Sequence, residues 1–81
     1  MPHTDDDIRK TIDALLAQRD DGKTICPSEV ARALEPDDWR PLMDQVRGVA
    51  VDEVRAGRLV ITQGGEAVEP PFHGPIRLGR P

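Results

Sequence analysis

Pro27-Ser28-Glu29-Val30-Ala31-Arg32-Ala33-Leu34, then Glu35-Pro36-Asp37, then the stretch from Asp38 to Gly57 decide the architecture of this chain. The first segment reads as a short helix. Pro27 falls at its first position, where a missing N–H is no loss, and Val30, Ala31 and Leu34 share one face. Glu35-Pro36-Asp37 reads as a turn. Asp38 is placed to cap a longer helix, with Pro41 in its first turn, where backbone N–H groups have no intrahelical partner anyway. Leu42, Val46, Val49, Ala50 and Val54 recur at helical spacing, so this helix should run to about Ala56 and stop at Gly57. At about nineteen residues it would be ~28 Å long.

Working outward, Thr4 is a good N-cap, and Asp5, Asp6 and Asp7 suit the positive end of a helix dipole. Ile8, Ile12, Leu15 and Leu16 make one apolar stripe, so a first helix is expected from about Thr4 to Arg19, ended by Asp21-Gly22-Lys23. Thr24-Ile25-Cys26 has room only for a minimal strand. After Gly57 the period changes. Arg58-Leu59-Val60-Ile61-Thr62-Gln63 alternates and is rich in β-branched residues, which predicts a strand. Gly64-Gly65 opens a long loop carrying Pro70, Pro71, Phe72 and His73. Pro75-Ile76-Arg77-Leu78 is the expected returning strand, with Pro75 at its start or on an edge.

A short helix, a tight turn and a longer helix form a helix-turn-helix. With a helix before it and a hairpin after it, the order resembles a winged helix. The expected class is therefore α+β, as one domain over residues 1–81. More narrowly, Lys23 to Ala31, Asp38-Trp39-Arg40, Val46-Arg47, Thr62-Gln63 and Gly74-Pro75-Ile76-Arg77-Leu78 resemble a family of short bacterial proteins of unknown function. That resemblance spans about residues 8–78 and carries no activity with it.

Composition narrows the function classes. The chain has 81 residues, 32% of them charged and 37% hydrophobic, which suits a small globular fold. Trp39 and Phe72 are its aromatic residues, too few for a single-strand binder that stacks bases. The net charge is −4, against the basic balance usual for duplex binders. The acid is concentrated at the start, in Asp5, Asp6, Asp7, Asp13, Asp20 and Asp21. The last third is mildly basic, with Arg55, Arg58, Arg77 and Arg80 against Glu66 and Glu69. No apolar run reaches membrane length and no signal peptide is evident, so a cytoplasmic protein is expected.

Candidate residues follow from the fold expectation. Arg40, Asp44, Arg47, Val51 and Arg55 lie opposite the apolar stripe of the third helix. In the winged helices that the chain resembles, this face enters the major groove of duplex DNA, where arginine reads guanine edges and contacts phosphates. Asp44 is spaced to pair with Arg40 or Arg47 and blunt that patch. Arg58 and Arg77 lie at the base of the wing, while Glu66 and Glu69 near its tip face phosphates unfavourably. The alternative is a protein-interaction module or weak self-dimer using Trp39, Met43, Val51 and Phe72. A sole Trp is more often core, its N–H bonded nearby, so core is the favoured reading of Trp39, while Phe72 in its Pro-rich loop reads either as a lid folded back on the core or as an exposed sticky point.

No catalytic constellation is visible. Gly22-Lys23-Thr24 lacks the earlier glycine of a phosphate-binding loop. Cys26 precedes a helix start, which can activate a thiol, but a small buried hydrophobe is the simpler reading. One cysteine with His3 and His73 at opposite ends gives no zinc spacing. The expectation is no enzyme activity, no metal, no cofactor and no small-molecule ligand.

Overall fold

The computed structural model describes residues 3–19, 22–70 and 72–81. Asp21, expected in the turn after the first helix, and Pro71, expected in the wing loop, lie outside them. Helix α1 spans Asp5–Ala17. Thr4 caps it as expected: its Oγ1 accepts from the Asp7 N–H, and Asp7 Oδ2 accepts from the Thr4 N–H, both at 3.1 Å. Ile8, Ile12 and Leu16 are buried. On the exposed side, Lys10 and then Arg9 hold the Asp6 carboxyl below the usual aspartate range. The segment before α1 is tied across the molecule. Gln45 Nε2 donates to the His3 carbonyl at 2.9 Å and to Asp5 Oδ1 at 3.0 Å.

Helix α2 spans Pro27–Leu34, with Pro27 in its first turn as expected. Its start is secured by Glu29, whose Oε2 accepts from the Cys26 N–H at 2.6 Å. The next helix differs from expectation. Asp38 makes no cap. The chain enters instead through a 3-10 turn, Arg40–Leu42, and α3 proper spans Met43–Arg55, shorter than the nineteen residues expected. Pro41 is the physical reason. Its ring disfavours α geometry at Arg40, and the first turn closes through i to i+3 bonds instead, the Leu42 N–H donating to the Trp39 carbonyl at 3.0 Å. The far end behaves as read. Gly57 takes a φ of +78°, the Gly57 N–H bonds the Val54 carbonyl at 3.0 Å, and the Arg58 N–H bonds the Glu53 carbonyl at 2.9 Å. This is a Schellman motif, and a residue with a side chain would be strained at Gly57.

Three strands complete the fold: β1 (Val60–Gln63), β2 (Glu66–Ala67) and β3 (Arg77–Gly79), in the antiparallel order β2-β1-β3. The returning strand expected from sequence does pair antiparallel with β1, but the loop before it holds a further strand that was not expected. Gly64 and Gly65, with φ of +59° and +85°, close a two-residue hairpin in which Gln63 faces Glu66. Arg77–Gly79 then pairs with the opposite edge of β1, Ile61 facing Leu78. Gln63 Nε2 holds the intervening loop by donating to the His73 and Pro75 carbonyls at 2.6 and 3.1 Å. The minimal strand around Ile25 is a single bridge to Leu78, with N–H···O bonds of 2.8 and 2.7 Å. The result is three helices followed by a small three-stranded sheet, an α+β arrangement with a winged-helix-like layout.

The core gathers Ile8, Ile12 and Leu16 from α1, Val30 and Ala31 from α2, and Val46, Val49 and Ala50 from α3. Ile25, Leu59, Ile61, Ile76 and Leu78 join it from the sheet side. Leu78 is wholly buried where the Ile25 bridge, β1 and the helices meet. Leu78→Ala should lower the unfolding free energy by about 2–5 kcal/mol, read as a reduced urea midpoint at an unchanged slope. A change below about 1 kcal/mol would show that the sheet does not depend on this side chain.

Candidate nucleic-acid interface

The five arginines expected at a duplex are built into very different surroundings. Arg40 is exposed at the start of the 3-10 turn, its guanidinium 4.6 Å from the centre of the Trp39 ring. Arg32 of α2 approaches the same ring at 4.4 Å. A cation over an indole face gains electrostatic attraction without a carboxylate partner. Trp39 itself is half-buried and packs against the core, so its apolar body is used by the fold and its face by two arginines.

Arg47 and Arg55 lie on α3. Arg47 is half-buried and Arg55 is exposed at the last helical position. They are eight residues apart, ~12 Å along the axis, with Val51 between them. Asp44 sits three residues before Arg47, yet among the described residues it makes no ion pair. Gly48 occupies the exposed face between them, and a Cβ added there would meet nothing within 4 Å.

The wing-base arginines are held by the protein itself. Arg58 places both Nε and Nη2 on Glu53 Oε2, at 2.7 and 2.6 Å. Arg9 of α1 approaches the other carboxylate oxygen at 3.7 Å. The Glu53 side chain is 6% exposed, so it needs this neutralisation. Arg77 donates from Nε to Thr24 Oγ1 and from Nη2 to the Thr24 carbonyl, each at 3.0 Å. Of the residues expected to meet a protein partner, Trp39, Met43, Val51 and Phe72 are all partly buried against the core. Val51 also borders a depression of about 320 Å³ with Val54, Arg55, Glu69 and Pro70. That depression adjoins a larger apolar trough of about 480 Å³ floored by Val54, Leu59, Ile61 and Val68.

The family model described as "Protein of unknown function (DUF3253)" matches residues 5–81. The chain belongs to this family. No curated protein matches it. The family match covers every helix and strand just described, and it brings no activity.

Some of these features were readable in advance. Glu53 stands on the apolar stripe, three residues after Ala50 and seven after Val46, where an unpaired carboxylate is costly. That position, with Arg58 next beyond the helix end, was a signal of a buried ion pair. The Arg32–Trp39 contact crosses a turn and has no periodic trace. Among the described residues no group of three or more His, Cys, Asp or Glu side chains is gathered as a metal set requires. No described helix is long and apolar enough to cross a membrane.

The two kinds of arginine should respond differently to truncation. Arg58→Ala leaves Glu53 with only the longer contact from Arg9 and should cost about 1–2 kcal/mol of stability. Arg55→Ala should stay within about 0.5 kcal/mol. Equal midpoints for the two variants in thermal unfolding would remove Glu53 as a structural node.

Proposed function

We propose that the chain is one cytoplasmic winged-helix domain that binds duplex DNA without catalysing a reaction. Arg40, Arg47 and Arg55 on and before α3 make the contacts, and Arg58 and Arg77 brace the wing base beside them. The observation that carries this reading is the sorting of cations. Arg9, Lys10, Arg19 and Arg58 are in ion pairs with carboxylates. Arg40, Arg47 and Arg55 make none among the described residues, although Asp44 is close in sequence. A surface that keeps its guanidiniums available in a chain of net charge −4 is suited to phosphate and guanine edges. Gly48 supports the reading. Glycine inside an exposed helix costs about 1 kcal/mol relative to alanine, and no packing requires it here. It leaves a flat place where a partner's backbone can come close.

The apolar trough between α3 and the wing favours a second reading, a protein-docking or self-association surface that includes Val51. Sedimentation separates it from the first: concentration-dependent dimerisation abolished by Val51→Glu is its expected outcome, and a monomer at all concentrations excludes self-association.

Fluorescence anisotropy with random-sequence duplex tests the main reading. Binding should weaken with salt at a log–log slope of about −2 to −4. Arg47→Ala should weaken it about tenfold and flatten the slope by about 1. Gly48→Ala should raise the melting temperature while weakening binding. Absence of binding at low salt would sink the proposal.

A further inference from the structure

The sheet has a second face. Along β1 and β3, Ile61 and Leu78 point into the core, so by alternation Val60, Thr62, Arg77 and Gly79 point away from it. Gln63 and Glu66 are register partners on the inner side, which carries the Glu66 side chain away from this outer face. The Gly22-Lys23-Thr24 segment runs alongside, held by the Ile25–Leu78 bridge. Together they enclose a cleft of about 340 Å³.

Lys23, Arg77 and Arg80 line this cleft together with Thr24, Thr62 and Gly79, and no carboxylate lines it among the described residues. Arg77 is preorganised. Thr24 accepts two of its five N–H donors, so three remain with the guanidinium already fixed. Because Thr24 Oγ1 accepts from Arg77, its own hydroxyl proton is left to donate. Gly79 keeps the arrangement open, since a Cβ there would lie 3.0 Å from Thr24 Cγ2 and press on the residue that holds Arg77.

We infer that this cleft binds the phosphate group of a small phosphorylated ligand, as the dianion of a phosphate monoester. Three cations exceed what one carboxylate needs and match a doubly charged group. A fixed guanidinium fork with hydroxyl donors is the set that recognises phosphate oxygens. The volume is that of a small-molecule site rather than of a single ion. No residue of α3 lines the cleft, so this site is separate from the Arg40, Arg47 and Arg55 contacts, and Arg77 at the wing base is the one residue the two share.

The test is a titration of the full chain, followed by amide NMR, with inorganic phosphate, a nucleoside 5′-monophosphate and a short DNA duplex in separate arms. Phosphate and the nucleotide should move the amides of residues 22–24 and 77–80 with a dissociation constant of about a millimolar or tighter. The double variant Lys23→Ala/Arg80→Ala should weaken this at least tenfold. Thr62→Ile, which fills the cleft and leaves its charges in place, should weaken it too. Arg47→Ala should leave phosphate binding unchanged, so its loss of duplex binding reports only on α3. Shifts spread evenly over arginines throughout the chain would overturn the inference. So would movement of the cleft amides by duplex alone, or no change with phosphate well above a millimolar.

Discussion

The pairing of Leu78 with both Ile25 and Ile61 is the constraint on which the other contacts hang. The chain between α1 and α2 has almost no strand of its own, and β3 is only three residues long. Neither would persist alone, because so few hydrogen bonds cannot offset the entropy of ordering the backbone. Joined through a wholly buried leucine, they lock the helix-turn-helix to the wing. The same clamp brings Thr24 beside Arg77 and so creates the outer cleft. Packing and a candidate site therefore share one cause.

Charge follows a second logic. One carboxylate, Glu53, sits where α1, α3 and the wing converge, and it draws Arg9 and Arg58 to it. Lys10, Arg19 and Arg9 are likewise matched to acids on or near the first two helices. The negative net charge of the chain thus does not describe its surfaces evenly. Among the described residues, the cations without a carboxylate are Arg32 of α2, which lies over Trp39, those before and along α3, and those on the outer sheet face. The α3 surface and the outer sheet face are the two places where a binding role is proposed.

Local pattern made much of the fold legible before the tertiary structure was known. The Thr4 cap, the Pro27 start, the Gly57 stop and the apolar stripes of three helices all act within a few residues. They hold because a helix's bonds and its amphipathic face are set by neighbours in sequence. The departures have equally local causes. Pro41 turned the expected Asp38-capped turn into a 3-10 turn, and two glycines closed a hairpin where a long loop was expected.

What the sequence by itself determined was the order and type of the helices, the position of β1, the buried residues that line each stripe, and the class of function left open by composition. Only the tertiary structure decided which edge of β1 received β3, which arginines are bound by carboxylates or an indole, and that Lys23, Thr24, Arg77 and Arg80 share one cleft. The physical reason is sequence distance. Arg77 meets a threonine fifty-three residues away and Trp39 meets Arg32 across a turn. Such meetings depend on strand pairing and helix packing across the whole chain, which no local periodicity records.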